Sequence, residues 1–188
     1  RILTERGYRF ESSDDFEIAR DIKEKLCTVA KDFEESMWDT MCEANYSLPD
    51  GTPITLGNET FRAPEIMFDP RFIGMQGSGI HEMLYEGIMK CSVDLRSVLY
   101  SNIFLFGGNT MFPGFEERVK QEITMLAPYG MKIGVFALPD RDLADWIGAS
   151  ILGSLFNNSI FTQRKFYMNN RSEWERKQYE QDNVVSFI

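Results

Sequence analysis

Apolar residues recur near the helical period over residues 14–33, where Phe16, Ile18, Ile22, Leu26, Val29 and Ala30 share one side of a predicted helix. Ser12 or Ser13 is placed to cap it, and the acids that follow suit the positive end of the helix dipole. The period breaks at Leu48-Pro49-Asp50-Gly51, a tight turn by composition, since Pro presets one dihedral and Gly accepts a positive one. Residues 46–48 and 53–56 on either side are predicted to pair as a hairpin, with Pro53 confined to an edge or a strand start. Residues 62–68 predict a short helix begun near Pro64. The glycine-rich stretch 71–80 keeps Phe72, Ile73, Met75 and Ile80, which suits either a mobile apolar plug or a packed connection. Gly79-Ile80-His81-Glu82 opens an amphipathic helix running through Ile88, and residues 94–100 predict another.

Residues 101–106 form a buried-strand candidate, ended by Gly107-Gly108-Asn109-Thr110. Pro113-Gly114 then opens a helix carrying Phe115, Val119, Ile123 and Leu126. Residues 131–137 predict a second strand and residues 143–155 a third helix. Strand–turn–helix–strand–helix is the alternation of an α/β layer with a parallel sheet. From Phe156 the chain turns polar, aromatic and charged, which reads as a surface extension.

Composition narrows the function classes. The 188 residues, 43% hydrophobic, suffice for one or two cores. A net charge of -9 repels phosphate backbones and argues against direct nucleic-acid binding. No apolar run is long enough to span a bilayer, and residues 1–15 lack the apolar centre of a secretory signal, so a cytoplasmic address is expected, with a nuclear one possible. Cys27, Cys42 and Cys91 are scattered and odd in number, which suits packed, reduced thiols rather than a disulfide framework or a metal site. His81 is the single histidine and reads as structural or helix-starting. No nucleophile elbow, P-loop lysine or distinctive carboxylate pair appears, so no catalytic residue is assigned.

Two constellations remain. Gly107-Gly108-Asn109-Thr110 lies between a strand and a helix, where bare backbone can approach an anion and amides can point at it. The same pair of glycines also suits an ordinary strand-to-helix turn. Arg20, Lys23 and Glu24 share a helical stripe by three- and four-residue spacing. They are placed to hold a sugar, base or phosphate, or else to form a solvated face of ion pairs.

Many separated segments resemble actins and actin-related proteins in order. They include Thr4-Glu5-Arg6-Gly7-Tyr8, Arg20-Asp21-Ile22-Lys23-Glu24-Lys25-Leu26-Cys27 and Leu48-Pro49-Asp50-Gly51. Further on come Gly79-Ile80-His81-Glu82, Leu105-Phe106-Gly107-Gly108-Asn109-Thr110-Met111-Phe112-Pro113-Gly114 and Trp146-Ile147-Gly148-Ala149-Ser150-Ile151-Leu152. The resemblance implies an α/β, actin-like ATPase fold of the ribonuclease H-like kind, with ATP or ADP and Mg2+ or Ca2+ between two lobes. Residues 1–142 would form a large-lobe region, including a helical insertion subdomain over about residues 1–80, and 143–188 the return to the small lobe with a divergent insertion at 156–173. By motif, Gly107, Gly108, Asn109 and Met111 would line the phosphate and adenosine side. Arg20, Lys23 and Glu24 would face base and sugar, and Phe112 would pack near the adenine.

The sequence also departs from the family. Asn109 stands for a threonine, Phe112 for a tyrosine and Asp142 for a lysine beside the adenine. The last exchange places an anion where a cation would attract ATP. The family's first two phosphate loops and its cation- and water-positioning residues would lie upstream of Arg1, so efficient hydrolysis is not expected of this chain by itself. An actin-like cytoskeletal protein is the expected function, with other actin-like subunits and actin-binding proteins as partners. The alternative is a structural subunit of a larger complex with little ATPase activity or polymerisation. A sugar kinase or chaperone ATPase of the wider fold is disfavoured by the segment-by-segment agreement.

Overall fold

The computed structural model describes residues 2–10, 12–38, 43–155 and 171. The chain divides into two compact units, Arg1–Ala144 and Asp145–Ile188.

The first unit opens with the short α1 (Ile2–Glu5) and then α2 (Ser13–Leu26). Ser12 caps α2 as predicted: its hydroxyl accepts the Asp15 amide at 3.1 Å, and the Asp15 carboxylate accepts the Ser12 amide at 2.9 Å. The helix stops at Leu26, short of the expected residue 33. Val29 and Ala30, which fit the helical period, are buried in a segment outside the helix. Distant partners account for the difference: Thr28 donates its amide to Thr60 O at 3.1 Å and Val29 to Pro113 O at 2.8 Å. Those bonds replace the helical ladder for donors that would otherwise be orphaned. The helix resumes as α3 (Phe33–Trp38). Burial pushes the Cys27 thiol up to about 11, against a smaller downward pull from Lys23, so it is a packed and inert group.

The predicted hairpin is present as β1 (Ala44–Ser47) and β2 (Pro53–Leu56). They pair antiparallel with Tyr46 opposite Ile54 and Pro53 at the strand start. Ile54 and Leu56 join Ile22 of α2 in a small core, and the Tyr46 hydroxyl donates to Asp21 at 2.6 Å. The next helix, α4 (Glu59–Glu65), begins well before Pro64, which lies inside it rather than at its start. Glu59 folds back to accept the Gly57 amide at 2.7 Å, so a carboxylate, and not the expected proline, marks the start of the helix. In the glycine-rich stretch Phe72 leans on Phe33, with ring centroids 5.2 Å apart, while Phe72, Ile73 and Met75 remain exposed. It is therefore packed at one point and open at the others.

Helices α5 (Ile80–Lys90) and α6 (Val93–Ser101) lead into β3 (Ile103–Leu105). After a 3-10 turn at Gly108–Met111 come α7 (Phe115–Leu126) and β4 (Val135–Ala137). β3 and β4 pair in parallel, Ile103 opposite Val135, as the strand–helix–strand reading expected. Ile103, Tyr100, Phe115, Val119, Ile123 and Val135 form the main core with Phe68 and Ile88. The strand is shorter than expected and buried on one face only. Phe104 and Phe106 are each 58% exposed, with Phe104 stacked on Phe136 at 5.0 Å. The remaining helix, α8 (Ala144–Leu155), has no buried residue, although Trp146, Ile147, Ile151 and Leu152 make it apolar on several sides. The insertion expected at 156–173 lies outside the described residues, Arg171 excepted.

Arg118 of α7 is a buried cation that ties distant segments together. Its guanidinium donates to both oxygens of Glu65 at 2.7 and 3.0 Å, to Glu122 at 2.6 Å and to the Ala30 carbonyl at 2.8 Å. It also sits 4.7 Å from the centre of the Phe68 ring. Burial raises the Glu65 carboxyl above its ordinary range, while the bonds and charge of Arg118 pull it back down. Arg118→Met should lower stability by about 3–5 kcal/mol, because it strands the buried Glu65 charge and the Ala30 carbonyl. Adding Glu65→Leu should recover part of that loss in urea unfolding, and a double variant no more stable than the single would count against the pair.

Candidate functional site

The site is assembled by the segment that leaves α2. Cys27 ends the helix in extended conformation, and the Val29–Pro113 bond then fastens this exit to the start of α7. Gly114 allows the close approach: its φ is +82°, and a Cβ there would collide with the Val29 carbonyl. The last turns of α2 are thereby held beside the 3-10 turn that precedes α7. Two stretches more than eighty residues apart in sequence so become two walls of one cavity of about 640 Å3. That size falls within the range of small-molecule sites.

Arg20, Lys23 and Glu24 form one wall; Gly108, Asn109, Met111 and Phe112 form the other, joined by Asp142. The structure thus brings together Arg20, Lys23, Glu24, Gly108, Asn109, Met111 and Phe112, while Gly107 and Thr110 of the same glycine turn lie outside the lining. Arg20 and Glu24 are bonded at 3.0 Å, with Glu17 at 3.8 Å from the same guanidinium. The expected ion-paired stripe is present, and the same side chains face the cavity. Hydrogen bonding and charge from Glu24 raise the already high pKa of Arg20, so it stays cationic. Among the described residues no carboxylate pairs with Lys23 and no cation pairs with Asp142, which leaves one charge of each sign free at the wall. Phe112 is 9% exposed and belongs to the main core as well as to the lining.

The glycines divide by physical cause. Gly79, Gly114 and Gly134 are demanded by protein packing, because a Cβ at each would overlap a backbone carbonyl. Gly107 is demanded by its φ of +96°. At Gly108 neither reason holds: φ is unremarkable, and a Cβ would meet no atom within 4 Å. Its bare backbone opens onto the cavity instead, next to the exposed Asn109. Backbone of this kind can approach an anion closely. Among the described residues no group of three or more His, Cys, Asp or Glu is placed to hold a metal ion. His81 lies elsewhere, with its Nε2 at 4.0 Å from Glu122 and its Nδ1 buried without a partner among the described residues.

The sequence reading missed Arg141, whose guanidinium reaches back from beyond β4 to Thr110 in the turn. The run Pro139-Asp140-Arg141-Asp142 signals a turn but not the direction of a side chain. The family model described as Actin matches residues 1–178 of the chain.

Gly107→Ala should destabilise the protein by roughly 1 kcal/mol, through the strained positive φ, whereas Gly108→Ala should leave the melting temperature unchanged within a degree or two. Equal losses in thermal unfolding would mean that Gly108 too is held by the fold and not by what the cavity receives.

Proposed function

Since the chain belongs to the actin family, we propose that this cavity is one wall of a nucleotide site, for ATP or ADP with Mg2+ or Ca2+, in an actin-like protein that assembles with other actin-like subunits. The observation that carries the reading is the meeting of the Gly108-Asn109 turn with the Arg20-Lys23-Glu24 stripe in one cavity. Bare amide backbone suits phosphate oxygens, and Lys23 adds a cation without a carboxylate partner among the described residues. Glu24 and Arg20 suit the hydroxyls and edges of a sugar and base. A divalent ion would accompany the nucleotide through its phosphates and water, the usual manner for Mg2+ at such sites.

Assembly is supported by apolar surface. Phe104, Phe106, Phe136 and Leu138 are exposed around the parallel strands, and Phe72, Ile73 and Met75 around the glycine-rich loop. Clustered apolar exposure of this kind favours contact with other protein. No helix among the described residues is long and apolar enough to cross a membrane. A cytoplasmic, cytoskeletal location follows from the family reading, with a nuclear one as its variant. Asp142 favours a second reading, a structural actin-related subunit with weak nucleotide binding, because its carboxylate lines the same cavity and repels phosphates.

Two substitutions test the site in the full-length protein. Gly108→Asp should weaken ATP binding at least about tenfold in calorimetry, by filling the approach and adding an anion. Asp142→Lys should strengthen it by about three- to tenfold. Unchanged affinity in both variants would remove the nucleotide assignment. Assembly is tested separately: sedimentation after addition of Mg2+ and salt should yield polymer, and a protein that stays in the supernatant while binding ATP would favour the structural-subunit reading.

A further inference from the structure

We infer that Arg141 is a positioning residue that holds the Gly107–Met111 turn in its ligand-receiving shape, an inference that rests on the nucleotide reading of the cavity. One residue grips both ends of the turn. At the first end, the Arg141 carbonyl accepts the Gly107 amide at 2.7 Å. At the other, its guanidinium donates through Nε to the Thr110 carbonyl at 3.2 Å and hydroxyl at 3.1 Å, and through Nη2 to the same carbonyl at 2.9 Å. The turn closes on itself between these points, with the Thr110 amide and hydroxyl donating to the Gly107 carbonyl at 3.0 and 2.8 Å. A further bond from Nη1 to the Leu138 carbonyl at 3.0 Å braces the guanidinium against the segment that follows β4.

The cavity-lining residues Gly108 and Asn109 lie between the two gripped positions, so their backbone is set by a clamp that does not itself line the cavity. A Cβ at Gly107 or Gly108 would meet nothing within 4 Å, so close packing does not fix the turn at these two positions. The clamp therefore supplies rigidity that packing does not. Every acceptor of the Arg141 side chain is neutral, and among the described residues no carboxylate pairs with it. A planar fork with several fixed donors is needed to span one carbonyl, one hydroxyl and a second carbonyl at once, and a lysine cannot do so. Asp142 follows directly in sequence and lines the cavity, so movement of Arg141 also disturbs that part of the lining.

The test compares the full-length wild type with Arg141→Met, which keeps the stem, and Arg141→Lys, which keeps the charge. Amide hydrogen exchange without ligand and ATP affinity by calorimetry are both measured. Arg141→Met should speed exchange at Thr110, whose carbonyl and hydroxyl the guanidinium holds, at least tenfold while α7 and β3 amides are unchanged, and should weaken ATP binding at least tenfold, with Arg141→Lys between. Unchanged exchange, or faster exchange with unchanged ATP affinity in a wild type that binds, overturns the positioning role alone. A wild type that binds no ATP overturns the nucleotide reading, and Arg141's part in it, whatever the exchange shows. If Arg141→Met does not fold, the Arg141→Lys results decide by the same criteria.

Discussion

A cation that has lost nearly all its water must recover the loss from neighbours, and Arg118 does so by drawing three parts of the chain to one point. Glu65 comes from the end of α4, Glu122 from its own helix and the Ala30 carbonyl from the segment after α2. Phe68 closes the remaining side. Such a cluster is weak evidence for stability, since burying the charges costs several kcal/mol before any attraction is counted. What it supplies is register. Planar donors with fixed directions accept one arrangement of α4, α7 and the 27–30 segment, whereas an apolar residue of similar size would tolerate several.

The candidate site inherits that register. With Ala30 held by Arg118 and Val29 held by Pro113, the end of α2 is fastened to the start of α7. The ionic stripe of one helix thereby faces the glycine turn that precedes the other. The turn has little packing of its own, and its shape is set from the far side by Arg141. Support and reception are divided among different residues: Arg118 and Arg141 are structural cations behind the walls, and Lys23 is the one at the surface of the cavity without a carboxylate partner among the described residues.

Apolar surface tells a complementary story. The β3–β4 pair buries Ile103 and Val135 on one face and shows Phe104 and Phe136 on the other. In α8 apolar residues stand on several sides with none buried. A helix apolar on several sides is one built to be surrounded. Both features leave apolar surface without a partner among the described residues.

Local chemistry alone disclosed much of this fold. The Ser12 cap, the Asp50-Gly51 turn, the Pro113-Gly114 helix start and the strand–helix–strand order were all legible, because each rests on neighbours within a few residues. Of the cavity residues, local pattern offered Gly108, Asn109 and the Arg20-Lys23-Glu24 stripe, each with an ordinary turn or a solvated ion pair as its alternative, whereas Met111 and Phe112 came only from the resemblance to actins. Only the tertiary structure decided that α2 ends at Leu26, since the competing carbonyls of Thr60 and Pro113 lie far along the chain. It alone separated Gly107, where the backbone angle requires a glycine, from Gly108, where neither backbone angle nor packing does. It alone revealed the reach of Arg141 to Thr110. Periodicity reports which side of an element is apolar and spacing reports which residues can share a face. The direction of a long charged side chain depends on acceptors brought near by folding, and no local pattern records them.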